Sequence, residues 1–256
     1  MKISIVTISF NQKQYLKDCI DSILSQEDCD LEYIVVDPGS TDGSRELIES
    51  YGNRLIKVFE KDDGPADGLN KGFAHATGEI YGFINSDDYL LPGALKCITQ
   101  FFANRPPETF MTGHGFTEDE IGRRTPVYPS VLTEKTMLHR AAVLFQQATF
   151  FNRALFVATG GFNPTNSTCW DYEIFLRFLQ NGATHFVIGD SLATFRLYCE
   201  SISGSGRLRN RYFQDLDRLF VRNFRRDRNF LDKMMTVYLR SKRKFAALMI
   251  SAKSHL

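Results

Sequence analysis

The chain has 256 residues and a formal net charge of +1, and 43% of its residues are hydrophobic. This length suits one large domain, or a domain with an appendage, and the composition excludes disordered and fibrous classes. Five cysteines without a Cys-x-x-Cys pair argue against a disulfide framework or a zinc site. No stretch reaches the roughly 18 apolar residues of a membrane span. We therefore expect a cytoplasmic protein.

Charge is distributed unevenly along the chain. Residues 207–256 contain 14 Lys or Arg and 4 Asp or Glu, which is a net charge of +10. Residues 1–206 contain 17 basic and 26 acidic residues, which is a net charge of −9. The sequence thus predicts an acidic body followed by a basic tail.

Strand-like and helix-like patterns alternate over the first hundred residues. The predicted strands are residues 3–9, 33–36, 55–59 and 79–84. Between them, apolar residues at three- and four-residue spacing predict helices, for example over residues 15–24. This alternation predicts right-handed β-α-β units and a mostly parallel sheet with helices on both faces.

Three of these strands end in polar residues. The first ends at residues 9–11, the second at Asp37, and the fourth at Asn85, Asp87 and Asp88. The carboxyl ends of parallel strands share the edge at which open α/β sheets bind ligands. Carboxylates there can hold Mn²⁺ or Mg²⁺ together with substrate phosphates. The pattern predicts a phosphate and metal site, although an isolated Ser-Asp-Asp would more often be a turn.

The second half of the chain is less regular. After a predicted helix at residues 92–104, the short pieces 109–116 and 125–128 predict a mixed sheet. Residues 147–151 predict another strand, and Gly160 and Gly161 end the short helix after it. A helix over residues 170–179 carries Asp171 in its first turn, where an acid is commonly only a partner of the helix dipole.

In their order and spacing these motifs resemble family 2 glycosyltransferases of the GT-A fold, which are inverting enzymes that use nucleotide-diphosphate sugars. The resemblance extends over residues 2–205. It rests on residues 6–11, Asp37 with residues 39–44, Asp63, Gly64, Asp67, Asn70, Lys71, Gly72, residues 78–79, residues 85–88, residues 160–162 and residues 170–173.

The resemblance implies an α/β fold: a GT-A type, Rossmann-like, mostly parallel sheet with helices on both faces. It implies a nucleotide-sugar-binding half at residues 1–104 and an acceptor-binding and catalytic half at 105–206. Outside the resemblance, the charge and the apolar spacing predict a C-terminal basic helical region, an amphipathic tail at residues 207–256. The implied donor is a nucleotide-diphosphate sugar, with a UDP-sugar favoured, and the implied acceptor is a glycan or a lipid-linked molecule in polysaccharide, O-antigen or glycolipid assembly.

The resemblance assigns donor-binding roles to several of these residues. Phe10, Asn11 and Asp37 would hold the nucleotide base, since a carboxylate can accept a hydrogen bond from an imide N–H. Asp67 and Lys71 would face the same cleft and contact ribose or phosphate. Without the resemblance, these two residues are equally well explained as a surface i,i+4 pair.

The implied metal site departs from the commonest D-x-D form of the family. Asn85 stands in place of the first acid, so Asp87 and Asp88 form the anionic pair that would hold Mn²⁺ or Mg²⁺ with the diphosphate. Asn85 and Asp87 would also contact the donor. Which of the two acids contacts the metal directly stays open. Tyr198 stands where many relatives have His, which implies one protein ligand fewer.

Asp171 matches the catalytic base of the family. An acceptor hydroxyl must lose its proton while it attacks the anomeric carbon opposite the leaving nucleotide, and a carboxylate can receive that proton. No covalent sugar–enzyme intermediate is needed, so the anomeric configuration should invert. Glu173 projects to another side of the helix and is a poor substitute.

Apolar residues in the tail recur at helical spacing, with Lys and Arg on the other faces. One set is Leu208, Tyr212, Leu216, Leu219 and Phe220, and the other is Leu231, Met234, Met235 and Tyr238. Basic amphipathic helices commonly rest on anionic membrane surfaces. We expect peripheral contact with the cytoplasmic face of a membrane, and the alternative is a helix that packs on the acidic body.

Two other classes of function remain open. A nucleotidyltransferase of similar shape would need a glycine-rich phosphate loop after the first strand, but residues 9–12 contain no glycine. A non-catalytic binding module acting through the basic tail would not need Asp37, Asp87, Asp88 and Asp171 in the register of the family. We expect no nucleic-acid partner, because the tail lacks the aromatic pattern of single-strand binders.

Overall fold

A computed structural model describes residues 1–253, with side chains described for residues 1–201 and 204–245. Residues 254–256 of the predicted tail lie outside the described residues. The strands are β1 Lys2–Ile8, β2 Asp30–Val36, β3 Ile56–Val58, β4 Ile80–Asn85, β5 Tyr89–Leu90, β6 Thr109–Glu118, β7 Arg124–Val127, β8 Thr149–Asn152 and β9 Thr184–Arg196. The α-helices are α1 Lys13–Leu24, α2 Ser44–Ser50, α3 Pro65–Ala74, α4 Ala94–Phe102, α5 Glu134–Leu138, α6 Arg153–Thr159, α7 Trp170–Gln180, α8 Ile202–Ser205, α9 Arg209–Phe224 and α10 Phe230–Lys253.

The strands form one sheet in the order β3-β2-β1-β4-β8-β6-β9-β5, with β7 paired to β6. The first four strands in this order are parallel, as predicted for residues 1–104. In register, Ile8 on β1 is opposite Val36 on β2 and Asn85 on β4. The three polar strand exits therefore lie side by side at one edge of the sheet.

Two apolar cores lie on opposite faces of this sheet, as predicted. The strands β1 and β4 read as continuous apolar runs because both of their faces are buried. Successive residues of β1 enter different cores: Ile5 packs with α1 and α4, while Val6 packs with α3. Gly72 allows α3 to approach β1 closely, since a Cβ at this position would lie 2.4 Å from Val6 Cγ1.

Beyond β4 the sheet is mixed. The strand β8 is antiparallel to β4 and β6, whereas β9 is parallel to β6. The sequence analysis did not identify β5 or β9, and these two strands pair with each other. Residues 146–148 form a 3-10 turn, so the strand predicted at 147–151 begins at Thr149. One sheet thus crosses the proposed boundary at residue 104.

The basic tail contains the two helices α9 and α10. Leu216, Leu219 and Phe220 on α9 are buried in the core that also contains α7. The body of the protein therefore extends through α9, which is the packing alternative considered for the tail. Among the described residues, no helix is long and apolar enough to cross a membrane.

Candidate active site

The exits of β1 and β2 are joined by hydrogen bonds between their loops. The backbone N–H of Asn11 donates to Ser40 Oγ at 2.8 Å, and Thr41 N–H donates to Asn11 Oδ1 at 2.8 Å. Asn11 has a left-handed φ of 53°, a conformation that Asn tolerates better than most residues. Phe10, just before it, exposes 60% of its surface. The result is a fixed rim with an exposed aromatic ring.

Asp37 is fully buried at this rim. Its Oδ1 accepts hydrogen bonds from the backbone N–H groups of Gly39 and Ser40, at 2.9 and 2.8 Å, and from Arg45 Nε at 3.1 Å. Gly39 has φ 137°, which favours glycine and permits this turn. Asp37 Oδ2 is buried with no hydrogen-bond partner among the described residues. One oxygen is thus held by the loop, and the other is an unused acceptor.

Asp67 and Lys71 lie on α3 as an i,i+4 pair, with Lys71 Nζ 2.8 Å from Asp67 Oδ2. Lys71 Nζ also donates to the carbonyl of Lys61, and Asp67 Oδ2 accepts from Asp63 N–H at 3.1 Å. The pair therefore holds the loop before α3. These contacts match the surface-pair alternative, and they leave the proposed donor contact as a prediction.

Asp87 and Asp88 are adjacent in sequence but differ in surroundings. Asp88 is fully buried; its Oδ1 accepts from Arg196 N–H at 3.0 Å, and its Oδ2 accepts from Gln147 Nε2 at 3.0 Å. Asn85 Nδ2 lies 3.5 Å from the same Oδ2. Asp87 instead lines a cavity of about 760 Å³, and its Oδ2 accepts a hydrogen bond from Tyr198 OH at 2.9 Å.

Burial raises the pKa of both carboxyl groups, and the neighbouring Asp87 carboxylate raises that of Asp88 further. No group of three His, Cys, Asp or Glu side chains in the described part of the chain is arranged as a metal site. Mg²⁺ and Mn²⁺ commonly need only one or two protein carboxylates, with water and substrate phosphates completing the shell. The donor set around Asp87 therefore fits such an ion.

Tyr198 and Arg196 lie next to this pair, and β9 brings them there. Arg196 Nη2 donates to Asp18 Oδ2 at 2.8 Å, and its guanidinium stacks over the ring of Tyr15. Tyr198 packs against Tyr15 with ring centroids 4.7 Å apart. The sequence analysis assigned no role to Gln147 or Arg196. Arg196 lies on the unpredicted strand β9, and Gln147 lies in the 3-10 turn at residues 146–148, where a strand was predicted.

Asp171 lies in the first turn of α7 and is half-buried in the wall of the same cavity. Tyr172 N–H donates to its Oδ1 at 2.7 Å. Burial raises the pKa of Asp171 to about 6. Such a carboxyl group is ionised at neutral pH yet holds a proton more readily than an exposed aspartate.

Glu173 is turned away from the cavity. It is buried and accepts hydrogen bonds from Asn166 Nδ2 at 2.8 Å and from Arg222 Nη1 at 2.7 Å. Its role is to join α7 to α9. Similarly, His185 is buried between Thr112 and Leu132, and burial lowers its pKa to about 3.

The cavity has a volume of about 760 Å³ and contains both Asp87 and Asp171 in its wall. Trp170 and Tyr212 line it beside Asp171, and Arg209 contributes a basic side chain from the first turn of α9. Phe10, Asn11, Asp37, Asp67 and Lys71 are not among the lining residues. The structure thus places Asp87, one of the two predicted metal ligands, and Asp171, the predicted catalytic base, in the wall of one cavity, whereas Asp88 is not among the lining residues. The residues predicted to bind the nucleotide base, Phe10, Asn11 and Asp37, lie at the rim formed by the exits of β1 and β2.

The model of the family described as Glycosyl transferase family 2 matches residues 4–166, which is more than half of the chain. The chain belongs to glycosyltransferase family 2. The match confirms the resemblance, and it favours glycosyl transfer over the nucleotidyltransferase and binding-module alternatives. The matched region contains the strand-exit acids Asp37, Asp87 and Asp88 but ends before Asp171.

Two curated relatives illustrate the range of the similarity. An uncharacterized glycosyltransferase of Nostoc sp. is 38% identical over 106 residues, which are 40% of this chain and 33% of that protein. The putative teichuronic acid biosynthesis glycosyltransferase TuaG of Bacillus subtilis is 27% identical over 212 residues, 79% of this chain and 82% of TuaG. The chain thus spans a third of the first relative's length and most of the second's.

Solved structures of similar proteins support the GT-A fold. The structure of S. aureus TarS 1-349 in complex with UDP-GlcNAc has a TM-score of 0.70 at 18% identity and covers 94% of this chain and 71% of TarS 1-349. The mannosyltransferase PcManGT from Pyrobaculum calidifontis, in complex with GDP-Man and Mn²⁺, has a TM-score of 0.65 at 17% identity, with 98% and 79% covered.

Proposed function

We propose that this glycosyltransferase moves a sugar from a nucleotide-diphosphate donor to an acceptor hydroxyl and inverts the anomeric configuration, with Asp171 as the base. One observation carries the proposal: Asp171, with its pKa near 6, lines the same cavity as Asp87. The two carboxylates have different surroundings, so they can serve different steps.

Asp87 is the proposed carboxylate for the diphosphate end of the donor. It is the member of the pair that reaches the cavity, and Tyr198 fixes one of its oxygens. A bound Mn²⁺ or Mg²⁺ would neutralise charge on the departing diphosphate. Asp88 is a positioning residue in this proposal, because both of its oxygens already accept hydrogen bonds from Arg196 and Gln147.

The rim around Asp37 is the proposed site for the nucleotide base. Its unused Oδ2 can accept one hydrogen bond, and the imide N–H of uracil is a suitable donor. Phe10 supplies an exposed ring for stacking. A UDP-sugar is therefore favoured, consistent with the UDP-GlcNAc bound in the TarS structure.

Asp171 is proposed to take the proton from the acceptor hydroxyl as the hydroxyl attacks the anomeric carbon. A direct attack leaves no sugar–enzyme bond, so each transfer inverts the configuration once. Trp170 and Tyr212 flank Asp171 and would hold the acceptor against it. The proposed partners are a glycan or lipid-linked acceptor and, at the C-terminal helices, an anionic membrane surface on the cytoplasmic side.

The decisive experiment replaces Asp171 by Asn and measures transfer and donor binding on the same preparation. We expect turnover to fall by roughly 10² to 10⁴, the usual worth of a positioned proton acceptor. The affinity for UDP in the presence of Mn²⁺ should be unchanged, because Asp171 contacts the acceptor only. The product's anomeric configuration, read by NMR, should be opposite to that of the donor.

Glu173→Gln provides a matched control, since Glu173 is the other acid in the first turn of α7. It joins α7 to α9 outside the cavity, so this variant should lose stability but retain turnover per folded molecule. Near-normal transfer by a folded Asp171→Asn protein would contradict the proposed base.

A further inference from the structure

The helix α10 presents an apolar stripe on the side that faces away from the body. Its exposed apolar side chains recur at spacings of three, four and seven residues, which places them on one face. Between 56 and 71% of the surface of each is exposed. The stripe consists of Phe230, Leu231, Met234, Val237, Tyr238 and Phe245. No other part of the described chain covers this face of α10.

The opposite face of α10 is fastened to the body by polar contacts. Arg240 donates to the carbonyl of Arg140 through Nε at 3.1 Å and Nη2 at 2.9 Å. Arg243 Nη1 donates to the carbonyl of Ala141. Asp232 is buried on the same side and pairs with Arg226. These contacts fix which face of the helix points outward.

Cations flank the apolar stripe on both sides. Lys233 and Lys244 lie along one border of the stripe, Lys242 lies along the other, and all three are exposed. None of these lysines has a carboxylate within ion-pair distance among the residues whose side chains are described. Asp232 is the single acid in the sequence of α10, and it faces the body. Among the residues whose side chains are described, the outward surface is therefore apolar at its centre except for Ser241, and its charged side chains are basic.

We propose that this face of α10 lies on an anionic lipid surface, with the stripe in the boundary between headgroups and acyl chains. Helices with this division commonly bury their apolar face about 5–10 Å into that boundary, and anionic headgroups pair with the flanking cations. A second copy of the chain would place lysines against lysines across a symmetric contact, which is unfavourable. Charge complementarity thus selects the lipid.

The attachment of α10 also identifies where the membrane lies relative to the cavity. Arg240 and Arg243 bond to residues 140 and 141, and the next residue, Ala142, lines the cavity. A bilayer under α10 is therefore held close to the cavity wall. This inference rests on the proposed function for its chemistry, and it adds that the acceptor hydroxyl belongs to a lipid-carried molecule.

The test uses the purified full chain and vesicles of phosphatidylglycerol and phosphatidylcholine, with pure phosphatidylcholine vesicles for comparison. Co-sedimentation at low salt should require phosphatidylglycerol and should weaken as KCl is added. Val237→Glu should reduce binding about tenfold, the equivalent of one buried valine side chain. Lys233→Gln and Lys244→Gln should each reduce it about fivefold.

Val157→Glu is the matched control. Val157 lies on α6 and exposes 64% of its surface, against 65% for Val237, so both variants exchange an equally exposed valine for the same charge. We expect Val157→Glu to bind vesicles as the wild type does. Equal losses in the two variants would overturn the proposal, because the effect would then be one of charge alone.

Two further results would also overturn it. The wild type could fail to bind phosphatidylglycerol vesicles at low salt, or Val237→Glu could change the oligomeric state in sedimentation velocity without changing vesicle binding, which would indicate a second copy. UDP affinity is measured on every variant. A variant that loses vesicle binding but retains UDP affinity reports on the α10 face alone. If the wild type binds vesicles but fails to transfer sugar, the proposed chemistry is contradicted and the α10 proposal is not.

Discussion

The two acidic ends of the active site differ in how their carboxylates are held. At the donor end, Asp37 and Asp88 are fully buried, and each accepts two or more hydrogen bonds at about 3 Å from loop or strand groups. At the acceptor end, Asp171 has a single hydrogen bond from the next backbone N–H. Its raised pKa follows from burial with little compensation.

This difference separates binding from chemistry in physical terms. A carboxylate that is fixed by several donors holds its position, which suits the binding of a ligand in one orientation. A carboxylate that is poorly compensated gains from accepting a proton, which suits a base. Substitutions at Asp87, Asp88, Asp171 and Asp67 test this division.

The largest effect on donor binding is expected at Asp87, the carboxylate that reaches the cavity. Asp87→Asn should weaken UDP affinity in Mn²⁺ by about 100-fold and should abolish the difference between titrations with and without the metal. The reason is that an amide oxygen carries no charge to balance a divalent cation. Isothermal titration of UDP with and without Mn²⁺ measures both quantities.

Asp88→Asn is the comparison variant for that measurement. An amide NH₂ at this position would face Gln147 Nε2 or Arg196 N–H, so one donor would lose its acceptor. We expect a loss of roughly 1–3 kcal/mol in the free energy of unfolding, with the metal still raising UDP affinity. If Asp88→Asn alone removed the metal effect, the assignment of the two acids would be reversed.

An intermediate effect is expected from pH through Asp171. Turnover should fall about tenfold per pH unit below pH 6, because the base must be ionised. Stability should change in the opposite direction. Since the pKa is about 6 in the folded state against an ordinary 3.8, the folded chain binds this proton more tightly, and the free energy of unfolding rises as pH falls through 6.

Urea unfolding of the wild type and Asp171→Asn at pH 7 and pH 5 measures this contribution. The charged, buried Asp171 carboxylate lowers the free energy of unfolding by up to about 3 kcal/mol at pH 7. The Asn variant should therefore be more stable than the wild type at pH 7, and the difference in the free energy of unfolding should be smaller at pH 5. A stability difference between the two proteins that does not depend on pH would show that burial does not raise the pKa of Asp171.

The smallest effect is expected at Asp67. If this residue forms only an i,i+4 pair with Lys71, Asp67→Asn should change the free energy of unfolding by less than about 0.5 kcal/mol and leave UDP affinity unchanged. A tenfold loss of UDP affinity would instead assign the pair to the donor site. Thermal denaturation and UDP titration on one preparation distinguish the two outcomes.

The donor half of the fold was accessible from the sequence because its signals are local. Each strand of residues 1–85 is a short apolar run that ends in a turn, and the polar exits follow directly from the parallel order of the strands. Asp37, Asp87 and Asp88 could therefore be placed at one edge before any coordinates were known. The turn that holds Asp37 is likewise formed by its own next three residues.

The rest depended on contacts between residues far apart in sequence. The strand β9 shows no regular alternation: the exposed residues 189–191 interrupt it, and three successive buried residues, 192–194, follow them. Without β9, the contact of Arg196 with Asp88 could not be predicted, and Tyr198 could be placed near the metal site only through the resemblance. The apolar spacing of α9 also could not show whether its apolar face packs on the body or on a membrane, because both environments favour the same apolar residues.

The bonds from Arg196 to Asp88 and from Tyr198 to Asp87 join positions 108 and 111 residues apart. Closing so long a loop carries an entropic cost that only a largely folded chain can offset, and such contacts form late. During synthesis the donor half emerges first and can build its parallel strands alone. The carboxylate pair, however, acquires its final geometry only after β9 has been made, so the donor site is completed later than the parallel strands that carry it.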